Sequence, residues 1–80
     1  MTLDPSTRTL NMRRRRDRIL DHARRLIGRQ GYDAMTLREL AQAAEVTVPT
    51  IYNLVGNKAQ LLGELNREML DRLEAALDRR

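Results

Sequence analysis

Apolar residues recur along the chain at helical spacing. Ile19, Ala23, Leu26 and Ile27 fall at i, i+4, i+7 and i+8, one face of a helix predicted from about Met12 to Gln30. Gly31 is a good stop, since glycine takes positive φ without a Cβ penalty, and Tyr32 follows where a ring can fold back on the helix end. Thr36-Leu37-Arg38-Glu39 reads as a capping box, with the Thr36 hydroxyl accepting from the Glu39 N–H and Glu39 reaching back to the Thr36 N–H. Leu37, Leu40, Ala41 and Ala44 then mark a second helix of about nine residues. A third begins near Thr47 or Val48, because Pro49 is tolerated only in a first helical turn. Its inward face is Ile51, Leu54 and Val55, which turns Pro49, Thr50 and Asn53 outward. Gly56 breaks it, and Asn57 caps a fourth helix with Gln60 in the box position.

On that fourth helix Leu61, Leu62, Leu65, Met69, Leu70, Leu73, Ala76 and Leu77 form a broad stripe up to Arg79-Arg80, where no terminator follows. Three short helices cannot cover so long a face, so something else is expected to bury its far end. The organisation expected is a flexible arm over residues 1–11, with Asp4-Pro5 capping a short turn, a helical domain over 12–56, and a connecting helix over 57–80.

Composition agrees with an all-α domain. Eighty residues allow one compact unit, and its apolar side chains are Leu, Ile, Val, Ala and Met, with Tyr32 and Tyr52 the only aromatics. The absence of cysteine excludes disulfides, thiolate metal sites and a cysteine nucleophile, and fits a reducing cytoplasm. No apolar run approaches the ~18–20 residues that span a bilayer, and the N-terminus lacks a signal-peptide core. A soluble, cytoplasmic protein without a membrane partner is expected.

Charge changes the picture. Residues 1–33 hold nine Arg against four Asp, and the remainder six Lys and Arg against seven acids, so the net +4 is concentrated at the front. Such a gradient points to a polyanion, either nucleic acid or an acidic membrane, and charge alone leaves the choice open.

Catalytic chemistry has little to work with. His22 is the single histidine and flanks the Ile19/Leu26 face, where a boundary residue is the better reading than a base. Asp17 and Asp21 lie among arginines and read as surface ion pairs. Asp21 and His22 are adjacent and so do not share a helix face for a metal. No enzyme activity, cofactor or metal is expected.

The strongest constellation is the second and third helices with their short link, Glu45-Val46-Thr47. Two short amphipathic helices joined this closely cross steeply, as in a helix-turn-helix. Thr47, Val48, Pro49, Thr50 and Asn53 would then present small or polar groups to a major groove about 12 Å wide. Asn53 suits a bidentate pair with adenine, and Val48 and Pro49 suit thymine methyls. The alternative is a solvated face of an ordinary bundle, and the pattern alone favours neither. Arg13-Arg14-Arg15-Arg16 tips the balance: placed in a first helical turn, four cations oppose the macrodipole and are better explained by phosphate. Lys58, the only lysine, sits in the first turn of the fourth helix, and the N–H groups there and at the Thr36 end of the second offer anion sites.

Ile19-Leu20, Ala23, Leu26-Ile27, Gly31-Tyr32, Thr36-Leu37, Leu40-Ala41, Ala44, Val46, Thr50-Ile51-Tyr52, Asn57-Lys58 and Leu61-Leu62 together resemble the N-terminal domain of the tetracycline-repressor (TetR) family over about residues 12–65. The resemblance implies a three-helix DNA-binding domain and a long connecting helix. It further implies a separate domain, missing here, that binds a small-molecule inducer and forms a homodimer on a pseudo-palindromic operator of double-stranded DNA. It places Thr36, Tyr52 and Lys58 on phosphates, and adds Arg38 to Thr47, Val48, Pro49, Thr50 and Asn53 as candidates for base contact. Three positions depart from the family pattern. Glu45 stands for the usual turn glycine, Leu54 for a His or Tyr that often touches phosphate, and Val55 for a common Phe. A fragment of a longer ligand-responsive repressor, or a truncated relative, is thus expected. The competing readings are a protein-interaction module docking through the stripe of the last helix, and membrane-surface binding through the basic first helix. The latter is the weaker, since that helix lacks the bulky face interfacial helices use.

Overall fold

The computed structural model describes residues 5–78, so the Asp4 cap and the Arg79-Arg80 end lie outside the described residues. Four helices follow one another, α1 (Pro5–Gln30), α2 (Leu37–Ala44), α3 (Val48–Leu54) and α4 (Lys58–Asp78), and no strand occurs among the described residues.

The start of α1 differs from the expectation. It lies about two turns ahead of Met12, so residues 5–11, expected as a mobile arm, are helical. Proline at the first helical position gives up no hydrogen bond the helix needs. Extending an existing helix is also far cheaper than nucleating one. A consequence follows for the arginine run. Arg13 to Arg16 sit inside α1 rather than in its first turn, where the macrodipole no longer opposes them.

α1 is the spine of the molecule, with α2, α3 and α4 all packed on it and α2 also packed on α3. Ile19, Leu20 and Ala23 of α1 meet Leu40, Ala41 and Ala44 of α2, Ile51 of α3, and Leu61 and Leu65 of α4 in one core. Met35, in the turn before α2, is fully buried as well, a core residue that helical periodicity does not flag. Its position explains it: Met35 precedes the Thr36 cap and Leu40 lies four residues after that cap, the spacing of a hydrophobic staple. Val46 and Ile51 stand in the same relation around Thr47. Each staple fixes the angle at which the chain enters a short helix.

Local caps set the helix starts. The Thr36 hydroxyl accepts from the Glu39 N–H at 3.1 Å. The return arm of that box is replaced, because the Glu39 carboxylate accepts from Gln30 Nε2 at 2.6 Å and so ties α2 to the end of α1. At α4 the box is reciprocal: Gln60 N–H donates to Asn57 Oδ1 and Asn57 N–H donates to Gln60 Oε1, both at 2.8 Å. Gly56, at φ 121°, leaves room for that side chain, since a Cβ there would meet Gln60 Oε1 at 2.2 Å.

Between α2 and α3 the chain reverses through Glu45 in the left-handed region, φ 58°. Val46 N–H donates to the Ala41 carbonyl at 2.9 Å and Glu45 N–H to that of Gln42 at 3.3 Å, the two bonds of a Schellman turn. Glutamate carries a Cβ that glycine would spare here.

α4 is held at its first half only. Leu61 and Leu65 enter the core, and two ion pairs flank them: Arg16 Nη2 with Glu64 Oε2 at 2.5 Å, and Arg24 with Glu68. The hydrogen bond from Arg24 to Glu68 raises the guanidinium pKa, outweighing the opposing desolvation, and a second carboxylate, Asp21, adds to it. Partly exposed pairs of this kind contribute about 0.2–1 kcal/mol each. Further along, Met69, Leu70, Leu73 and Leu77 are all more than half exposed, which matches the stripe that three short helices could not cover.

Replacing Glu45 by glycine removes a left-handed penalty of about 1–2 kcal/mol and returns part of it as unfolded-chain entropy. A net gain of about 0.5–1 kcal/mol is expected, seen as a thermal midpoint about 2–8 °C higher. A lower midpoint for Glu45→Gly would show that this side chain stabilises the turn by a contact of its own.

Candidate nucleic-acid interface

The surface of interest is built on α3, which begins at a single N-cap. The Thr47 hydroxyl accepts from the Thr50 N–H at 3.3 Å and lies 2.8 Å from the Thr50 hydroxyl. With Pro49 in the first turn and Ile51 fully buried, the helix can seat itself in only one rotation. That rotation exposes Thr47, Pro49, Tyr52 and Asn53 and leaves Thr50 half-buried. Tyr52 is 53% exposed, so its ring does not anchor the helix in the core. The outward side is small and polar apart from that ring.

Val48 departs from this pattern. It is half-buried and packs against the core, beside Val46, Leu54 and Val55. The first residue of a helix after a staple is drawn inward with it, which periodicity over so short a segment does not reveal. Half-buried as Thr50 is, it keeps one edge at the surface.

Arg38 and Thr36, at the start of α2, are both exposed. Lys58, at the start of α4, is half-buried with its ammonium engaged. Nζ donates to the Asp33 carbonyl at 3.3 Å and lies 4.6 Å from the centroid of the Tyr32 ring. Two ammonium donors remain after that bond. The Asp33 carbonyl and Tyr32 ring therefore fix where this cation sits, a role not visible in the sequence because the partners are separated by more than twenty residues.

The arginine run divides. Arg13, Arg14 and Arg15 are exposed, whereas Arg16 is turned to α4 and paired with Glu64. Arg16 falls on the core side of α1 and meets a carboxylate there, so its charge is already matched within the fold. Thr9, Met12, Arg13 and Arg16 of α1 line a shallow depression with Asn53 and Leu54 of α3. The front of α1 thus lies directly beside the outward end of α3.

Comparison with known proteins bears on this arrangement. The family model described as bacterial regulatory proteins of the tetR family matches residues 19–65, which contain α2, α3 and the first part of α4. The chain belongs to this family. The family match starts at Ile19, the first core residue, and leaves the front of α1 outside it. Among relatives, the HTH-type transcriptional repressor KstR of Mycolicibacterium smegmatis is 40% identical over 68 residues, covering 84% of this chain and 33% of that protein. The KstR repressor of Mycobacterium tuberculosis is likewise 40% identical over 68 residues, 84% of this chain and 30% of its own length. The class D tetracycline repressor protein of Escherichia coli is 40% identical over 57 residues, 71% of this chain and 26% of that protein. The chain therefore spans about a third or less of the curated relatives it matches. No solved structure matches it. Among the described residues no helix is long and apolar enough to cross a membrane.

Thr47→Ala deletes the one side chain that caps α3. A loss of about 0.5–2 kcal/mol is expected from the cap, read in a chemical denaturation curve with an unchanged slope. Thr50→Ala, which keeps the cap acceptor, should cost less; equal losses would assign the stabilisation to the hydroxyl pair instead.

Proposed function

We propose that this chain is the DNA-binding headpiece of a transcriptional regulator, with α3 entering the major groove of double-stranded DNA. One observation carries the reading: Pro49, Tyr52 and Asn53 project outward from a helix whose only fully buried residue is Ile51. A helix so presented can approach base edges closely. Asn53 pairs with adenine, while Arg38, Thr47, Pro49 and Thr50 make base contact or close approach. Val48 contributes at most its half-exposed edge. Thr36, Tyr52 and Lys58 hold phosphates on either side of the groove, Lys58 from the position set by Tyr32 and Asp33.

The names of the relatives support a repressor, and the family supports a homodimer on a pseudo-palindromic operator in the cytoplasm. Response to a small-molecule inducer, and dimer formation, would reside in a part of the regulator outside these eighty residues. The exposed face of α4, Met69, Leu70, Leu73 and Leu77, favours a second reading in which this helix docks a protein. The two respond oppositely to salt: apolar docking survives it and phosphate contact fades.

With ~3–5 phosphates neutralised per copy, the log–log dependence of affinity on salt should have a slope of about −3 to −4.5. Selection from a random duplex pool should enrich one half-site. Asn53→Ala should relax preference at one base position by about 1–3 kcal/mol, whereas Lys58→Ala should weaken all sequences alike. A flat salt response, or no enriched sequence, would refute the assignment.

A further inference from the structure

The front of α1, like the second half of α4, lies outside both the core and the matched family region. From Thr9 to Arg15 every described side chain is exposed, and burial begins in earnest only at Ile19. The segment is nonetheless helical and continuous with the spine of the fold, so its direction is set by the packing of Ile19, Leu20 and Ala23. With Arg18 just beyond, it carries Arg13, Arg14 and Arg15, all exposed and none in an ion pair among the described residues, while the adjacent Arg16 is matched by Glu64. Among the described residues no carboxylate lies within ion-pair distance of Arg13, Arg14, Arg15 or Arg18, Asp17 is the one acid in the stretch, and Arg13 lines the same depression as Asn53.

We propose that this helical front of α1 is a second DNA-contacting element. It holds the phosphate backbone of duplex that flanks the base pairs read by α3, and so makes the half-site footprint longer than the recognition helix alone would give. The inference rests on the reading of α3 as the groove-entering helix. Arg13, beside Asn53, takes the phosphate nearest the groove; Arg14 and Arg15, about 100° apart around the axis, extend the positive field away from it. At about 1.5 Å per residue the ten residues from Thr9 to Arg18 reach about 15 Å, the rise of roughly four base pairs. Being a rigid extension of the spine rather than a tether, the element adds these contacts with little ordering entropy to pay back. Arg16 takes no part, because its charge clamps α4.

The test uses the full chain and two duplexes carrying the half-site enriched in pool selection, one trimmed to the enriched bases and one extended by about five base pairs on each side. The wild type should bind the extended duplex about tenfold or more tightly at low salt, with ethylation interference at phosphates beyond the enriched bases. The variant Arg13→Gln/Arg14→Gln/Arg15→Gln should lose that gain and the outer interference, and reduce the salt slope by about 2–3, with the same enriched sequence. Arg13→Lys/Arg14→Lys/Arg15→Lys should restore most of the gain, which a defect in folding would not allow. Equal affinity of the wild type for both duplexes, or a glutamine variant with unchanged slope and footprint, overturns the proposal while leaving α3 as the reader of sequence. Failure to enrich any sequence would instead remove the reading on which it rests. Binding of the arginines to phosphatidylserine vesicles with no gain on extended DNA would also overturn it, in favour of a membrane surface.

Discussion

The left-handed turn at Glu45 is the constraint on which the proposed interface depends. With one residue at φ 58° the chain leaves α2, closes two Schellman hydrogen bonds, and reaches the Thr47 cap with only Val46 between. No slack remains in that link. Ile51 is consequently delivered to the core at one rotation of α3, and the opposite side of the helix is outward by necessity. A longer or extended link would let α3 roll, and an outward face in one rotation would be a buried one in another. The turn places a glutamate where glycine is cheapest, so some local stability is given up at the position that orients the surface.

Around that turn the fold is economical. Among the described residues six large side chains are fully buried, two staples set the entry of α2 and α3, and Gln30 ties the far end of α1 to Glu39. α1 touches every other helix, so it acts both as the floor of the core and as the frame that relates α3 to α4. Arg16 and Arg24 reach from this frame to Glu64 and Glu68 on either side of the apolar contacts of Leu61 and Leu65. α4 is thereby held by a short apolar seam and partly exposed ion pairs, the kind of attachment that shifts at low cost. Its second half runs on beyond that seam with Met69, Leu70, Leu73 and Leu77 exposed.

Electrostatics separates two kinds of arginine that look alike in the chain. Those on the core side of α1 find carboxylates of α4 and become structural. Those turned outward keep an unmatched field beside α3. The same division applies to Lys58, whose position is set by a ring and a carbonyl but whose remaining donors are unspent. A cation held in place loses less entropy on meeting phosphate than a free one does.

What the sequence determined by itself is what depends on neighbours three or four residues apart. The caps at Thr36 and Asn57, the start of α3 marked by Pro49, and the stops at Gly31 and Gly56 follow from helical geometry and local hydrogen bonds and are found in place, as are the inward positions Ile19, Ala23, Leu40, Ala41, Ala44 and Ile51, while Leu26, Ile27, Leu37, Leu54 and Val55 are only half-buried. Tertiary structure decided the rest. Helix propagation from a packed core carried α1 back to Pro5 and moved the arginine run out of the first turn. Contacts spanning 44 and 48 residues withdrew Arg24 and Arg16 to α4, one spanning 25 seated Lys58, and packing drew Val48 inward. A one-dimensional pattern records the period of a helix but not which distant charge will stand opposite a given side chain. The pairing of one helix with another was settled only by how the apolar faces close.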